Sequence, residues 1–310
     1  MNWQRKLNPN FPIILFISIL LLATLACGID LGNSDDAESL QLEQTRVALQ
    51  QTQVALDALA QAEPTEEPPA EPAETEEPTE PVVQPDVAYE GVSFSFDDNI
   101  AVSVSSETIP GQNMGEDYMP GDTYPTYAKF SFNDYAIGDH FHTPIIAVYP
   151  VAEYRAISAG AADIIDNLEW TLANQPSGGS LSHLPFLPIW NAAQMFSAKV
   201  SYFDFQSGSG VRYLTMFGQA VYPVDNQNLF YTYQGLTNDS QYYISAVLPV
   251  VNMGLPNDGS TVIGDWYEFD QNWDTYIADT LDWLNGQDGN NFFPSLASLD
   301  EMMASFQINK

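Results

Sequence analysis

Four stretches decide the fold: Phe196-Ser-Ala-Lys-Val-Ser-Tyr-Phe-Asp-Phe205, Val211-Arg-Tyr-Leu-Thr-Met-Phe-Gly-Gln-Ala-Val221, Leu229-Phe-Tyr-Thr-Tyr-Gln-Gly235 and Tyr242-Tyr-Ile-Ser-Ala-Val-Leu-Pro249. Each is dense in aromatic and β-branched residues, which suit a pleated, packed surface. The segments between the first and second, Gln206-Ser-Gly-Ser-Gly210, and between the third and fourth, Leu236-Thr-Asn-Asp-Ser-Gln241, are short and rich in turn residues. Strands so joined fold back as hairpins, which predicts an antiparallel sheet.

Upstream, the loop Leu184-Pro-Phe-Leu-Pro188 leads into this block. Before it, Ile157, Ala161, Ile164, Ile165, Leu168 and Leu172 recur at spacings of three and four, which predicts one helix over 151–174. Gln175-Pro-Ser-Gly-Gly179 stops it. Pro144-Ile-Ile-Ala-Val-Tyr-Pro150 reads as a short buried strand, and 92–96, 101–105 and 127–132 as further strands. Helices over 273–285 and 295–305 close the chain. Strands in hairpins with helices grouped apart indicate an α+β class, an antiparallel sheet with helices on one face. Residues 89–310, roughly 220, suffice for one core.

The other end of the chain is organised differently. A basic start with Arg5 and Lys6 precedes an apolar stretch over 11–26, which ends in small residues at Cys27, the only cysteine. This is the pattern of an export signal over residues 1–26, and a solitary cysteine has no internal disulfide partner. Residues 27–34 then form the start of the mature chain. From 35 to 62 the composition is helical, with the repeat Thr45-Arg-Val-Ala-Leu-Gln-Gln51 and Thr52-Gln-Val-Ala-Leu-Asp-Ala58. Its seven-residue period suggests a stalk that self-associates as a coiled coil, or a solitary helix. Residues 63–88 read as a disordered spacer of Pro, Glu, Thr and Ala. Its nine acids, no Lys or Arg, and few apolar residues leave little to offset the entropy of ordering.

Thr24-Leu25-Ala26-Cys27-Gly28 resembles the lipobox of bacterial envelope lipoproteins, with the family's leucine standing one place late at Leu25. The resemblance implies lipidation of Cys27 and residence at the cell membrane, lipid-anchored on the extracytoplasmic side, with the membrane itself as partner. The alternatives are an uncleaved anchor, for which a stretch of sixteen residues falls just short of the roughly 17–25 of a spanning helix, and plain secretion. Within the folded part, Tyr89-Glu-Gly-Val-Ser-Phe-Ser-Phe96 and Leu299-Asp-Glu-Met-Met-Ala-Ser-Phe-Gln-Ile308 are similar to the ends of PsbP-like domains. That likeness implies an α/β/α sandwich. The middle block, including Gly208-Ser-Gly-Val-Arg-Tyr-Leu-Thr215, looks like that of uncharacterised envelope lipoproteins and brings no activity.

Candidate sites are few. His140-Phe-His142 is metal-like: on a strand both imidazoles would share a face, with Asp134, Asp139 or His183 completing a zinc shell. Asn285-Gly-Gln-Asp-Gly-Asn-Asn291 offers oxygens to calcium but misses the EF-hand spacing. Ser207-Gly-Ser-Gly210 lacks the spacing of a nucleophile elbow and is explained by a turn. Arg212, inside an apolar strand, reads as a structural ion pair with Asp204 or as a site for an anionic ligand. Tyr231, Tyr233, Tyr242 and Tyr243 could line a sugar-binding face. The formal charge of −33 (8 minus 41) excludes the electrostatic footprint of a nucleic-acid binder.

The expectation is therefore a tethered, non-catalytic binding or accessory domain with a protein or glycan ligand and no cofactor. The alternative is a hydrolase or metal-dependent enzyme centred on His140 and His142. Metabolic labelling with a fatty-acid analogue tests the anchor: label should enter the intact protein and vanish in Cys27→Ala, and label surviving that substitution sinks the lipid claim.

Overall fold

The computed structural model describes residues 84–115, 119–177 and 183–310. The signal segment, Cys27, the stalk and the spacer to residue 83 lie outside them. In chain order the strands and α-helices are β1 (Val87–Tyr89), β2 (Val92–Phe94), β3 (Ser103–Ile109), β4 (Tyr127–Asn133), β5 (Ile145–Pro150), α1 (Val151–Ile157), α2 (Ala159–Asn174), β6 (Ala193–Gln194), β7 (Ala198–Phe205), β8 (Gly208–Thr215), β9 (Phe217–Gly218), β10 (Phe230–Thr237), β11 (Tyr242–Pro249), β12 (Val251–Asn252), α3 (Trp266–Gln271), α4 (Trp273–Gly286), β13 (Phe292–Phe293), α5 (Leu296–Ala304) and β14 (Gln307–Ile308). The order begins inside the segment read as spacer: Val87 is buried and pairs with Phe94.

Seven strands form one sheet in the order β3-β4-β5-β11-β10-β8-β7, and every neighbouring pair is antiparallel. The mixed helix-and-sheet class and the hairpins therefore hold. The glycines expected in the turn between β7 and β8 lie instead inside β8, and the turn itself is Gln206-Ser207. A carbon added at Gly208 or Gly210 would run into the rings of Phe205 or Tyr233, so these glycines make room for aromatics.

The helices do not sit on one face, as the sequence suggested. Alternation divides each strand between two cores. Ile146, Val148, Leu214, Tyr231 and Ile244 face one way and pack with Leu284 of α4, with Leu299 and Met303 of α5, and with the small sheet β1-β2-β14. Ala147, Tyr149, Val211, Tyr213 and Tyr243 face the other way, against Tyr154, Ala161, Ile165 and Leu168 of α1 and α2. All eight residues of β10 are buried. A strand covered on both sides reads as a continuous apolar run, from which the second helical layer is not visible.

The helix expected over 151–174 is two. Ser158 adopts extended backbone and its hydroxyl accepts a hydrogen bond from the Ala161 N–H, capping α2. Serine competes with the helix for its own backbone bonds, and that competition breaks the helix here. No helix among the described residues is long and apolar enough to cross a membrane.

Arg212 forms an ion pair, but its partner is Asp300 of α5 and not Asp204. Opposite Arg212 on β7 stands Ser201, so Asp204, three residues on, projects from the other face. The guanidinium donates through Nε to Asp300 Oδ1 at 3.1 Å and through Nη2 to Oδ2 at 2.9 Å, and Nη1 reaches the Lys199 carbonyl. Tyr231 Oη donates to the same Asp300 Oδ1 at 2.9 Å. Replacing Asp300 with Ala should cost about 2–3 kcal/mol by denaturant unfolding, because it strands a largely buried guanidinium and a phenol. The double variant Arg212→Leu with Asp300→Leu should lose less than Asp300→Ala alone.

Candidate functional site

One end of the sheet carries an aromatic cluster that the sequence did not single out. It begins with a buried amide. Gln234 Oε1 accepts from the Leu187 N–H at 3.0 Å and from Tyr243 Oη at 2.6 Å, while its Nε2 donates to Thr232 Oγ1 and Ser245 Oγ. The Ser245 hydroxyl returns a bond to the Leu187 carbonyl. These bonds clamp the loop 184–190 onto the sheet. Phe186 and Trp190 are thereby set against Phe217 of β9 and Phe230 of β10, with ring centroids 4.6 Å (Phe186–Phe217) and 5.7 Å (Trp190–Phe230) apart.

Onto this cluster folds the loop between β4 and β5, and with it both candidate histidines. They lie on a loop, not on a strand, so they do not present two nitrogens to one ion. His140 Nε2 donates to the Leu229 carbonyl at 2.9 Å, and its Nδ1 accepts from the His142 N–H at 3.0 Å. Both ring nitrogens are thus used, and the second bond fixes which of them is protonated. The His142 ring stacks on Trp190 at 4.8 Å with 7° between planes and meets the Phe230 edge at 4.6 Å. Among the described residues no three of His, Cys, Asp and Glu are grouped to hold a metal.

With a histidine turned inward on either side, the residue between them is forced out. Phe141 is 78 % exposed, while its own N–H donates to the Gln227 carbonyl at 2.9 Å and holds it in place. Loop 225–228 is rigid in its turn. The buried Asp225 carboxylate accepts from the Asn228 N–H, from Asn228 Nδ2 and from the Gly259 N–H. Across from Phe141 stands Trp266, 49 % exposed, at the start of α3, where Asp265 caps the helix through the Glu268 N–H. The Trp266 ring lies 5.8 Å from that of Tyr222. Between these walls runs an open groove of about 920 Å³, whose polar lining includes Gln219, Gln227, Asn228 and Asp139.

The remaining candidates have structural duties. Lys199 Nζ donates to the Gln287 carbonyl at 2.6 Å, and Asn285 Oδ1 accepts from the Lys199 N–H. The loop 285–291, read as a calcium donor, therefore gives oxygens to an ammonium group, and its Asp288 caps a turn at Asn290. Tyr231, Tyr233 and Tyr243 are fully buried and cannot offer a sugar-binding face, and the Lys310 ammonium lies 5.4 Å from the ring of Tyr242. Ser207 Oγ accepts from the Ile308 N–H. No family model matches the chain, and no similar curated protein or solved structure was found.

Burial lowers the pKa of His140, and burial with the neighbouring His140 lowers that of His142 to about 4. His142 Nε2 is also buried without a hydrogen-bond partner, which favours the neutral ring. An unfolded imidazole takes its proton near 6.5, so between these values the unfolded chain binds more protons. The stability that neutral His142 contributes is present above about pH 6.5 and lost as pH falls through about 4. The loss should be on the order of 2 kcal/mol, allowing for partial exposure. His142→Phe should flatten this acid limb in unfolding curves, and NMR titration of His142 should show the depressed midpoint; a midpoint near 6.5 would contradict the packing described.

Proposed function

We propose that the protein is a membrane-tethered extracytoplasmic lipoprotein whose folded part is a non-catalytic binding module, with its ligand site in the groove around Phe141. The tether rests on the signal over 1–26, Cys27 and the Pro- and Glu-rich spacer that precedes β1. The observation that carries the binding site is the exposure of Phe141. A phenylalanine held out of the core by bonds on both sides lines one groove together with an exposed Trp266, so two exposed aromatics share one apolar surface. Such surfaces mark interaction sites, and a groove of this size with a few convergent amides suits a ligand. The groove's histidine is committed to Leu229 and His142, which favours binding over acid–base chemistry.

A thermal-shift screen against sugars, peptides and divalent ions tests the reading. Phe141→Ala should melt within about 0.5 kcal/mol of the parent, as exposed substitutions do, and should abolish the shift given by any ligand. A ligand whose shift survives Phe141→Ala binds elsewhere and would refute the assignment of the groove.

A further inference from the structure

Granted that the groove is the binding site, its shape and lining specify what it holds. A second recess of about 630 Å³ lies on the other side of Phe141, walled by Trp190 and Asn191. It shares Phe141, Phe217, Gly218 and Gln219 with the groove of about 920 Å³. The two therefore meet across Phe141, and each has an aromatic wall of its own: Trp190 in one, Tyr222 and Trp266 in the other. A compact ligand fills one cavity of roughly 300–1,000 Å³, whereas an extended chain fills both.

The charges narrow the chemistry. Asp139 is the only Asp, Glu, Lys or Arg in either lining, and burial lowers the pKa of both histidines, so they add no charge at neutral pH. Nothing there neutralises a phosphate, sulfate or uronate, and the chain's −33 repels a polyanion. What the groove offers is the exposed rings of Phe141 and Trp266, with Trp190 and Tyr222 half-buried beside them, and the amides of Asn191, Gln219, Gln227 and Asn228. Of these, Gln219 spends one N–H on the Asn191 carbonyl and Asn228 one on Asp225, leaving a second N–H on each. Pyranose rings present that complement, with a C–H face for an aromatic ring and hydroxyls around the rim. A peptide binding by strand addition needs a free edge; the edge strands β3 and β7 of the seven-stranded sheet are not in the lining, and β9, which is, offers only the two residues Phe217 and Gly218. We propose that the site is a continuous, two-subsite groove for an uncharged glycan strand that passes over Phe141.

The test is titration of residues 84–310 and of the full chain, by calorimetry and tryptophan fluorescence, with neutral gluco-, manno- and N-acetylglucosamine oligomers from mono- to hexasaccharide. Uncharged peptides of matching length form a second arm. At least one saccharide series should gain about tenfold or more in affinity from disaccharide to hexasaccharide. Trp266→Ala, which empties one subsite, and Ala192→Trp, which fills the other, should each bring the hexasaccharide back toward the disaccharide value without changing the melting temperature. Saccharide affinity independent of length overturns the two-subsite groove. Peptides that bind in a Phe141-dependent manner while no saccharide does overturn the glycan class and leave the groove as a binding site. Absence of Phe141-dependent binding in either arm overturns both.

Discussion

The constraint on which the rest depends is burial of the sheet on both faces. Strands β8, β10 and β11 have helices above and below, and almost every residue in them is out of water. A polar group in such a strand must find its partner inside the protein or cost several kcal/mol. Besides single bonds such as Tyr213 Oη to the Pro185 carbonyl, each face carries one polar network. On one side Arg212 and the Tyr231 phenol converge on Asp300, tying α5 to the sheet. On the other, Thr232, Ser245 and the Tyr243 phenol converge on the Gln234 amide, and Gln234 and Ser245 hold the Leu187 backbone, tying down a loop instead of a helix. A directional polar network fixes position in a way that apolar packing does not.

The second of these networks is the foundation of the groove. Because Leu187 is clamped, Phe186 and Trp190 have a fixed place on the sheet end, and because Trp190 is fixed, His142 has a surface to stack on. His142 then bonds His140, His140 bonds Leu229, and the two together hold Phe141 in water. The exposed ring is thus the outer end of a chain of contacts that starts at a buried glutamine, and its position is set by the rigid sheet more than by its own loop. Sites built in this way are pre-organised, so little ordering entropy opposes binding.

The fold was legible wherever local rules dominate. Hairpins announced themselves by turn residues, and the sheet class followed. Ser158 was a readable cap, but the spacing of Ile157, Ala161 and Ile164 ran across it and concealed the break. The second helical layer was invisible because Thr232, Gln234 and Ser245 on the face it covers read as solvent-facing positions, whereas they are buried and bonded to one another. The groove was hidden for a different reason. In the sequence Phe141 reads only as the spacer between two histidines, and its place in the fold depends on Leu229 and Trp190, each dozens of residues away. Tyr231, Tyr233 and Tyr243 attracted notice as a ligand face because aromatic content alone does not distinguish a core ring from a surface one. The one available signal was Asp225-Asn-Gln-Asn228, a polar turn between two apolar strands, whose Asp225 and Asn226 are spent on holding the loop together and whose Gln227 and Asn228 line the groove.

Charge completes the account. The folded part has five Lys and Arg, and each is committed within it: Lys129 to Glu107, Arg155 to Asp166 and Glu169, Lys199 to backbone carbonyls, Arg212 to Asp300, and Lys310 close to the Tyr242 ring. The exposed acids that remain have few cations to meet, so the folded part is strongly acidic, whereas the groove's lining carries one acid, Asp139. A surface of that kind repels phosphate-rich lipid faces and polyanions while the groove stays electrically quiet. On the proposed reading, recognition there rests on shape, aromatic rings and amide hydrogen bonds, and binding would vary little with salt, because the lining has no cation to form an ion pair with a ligand.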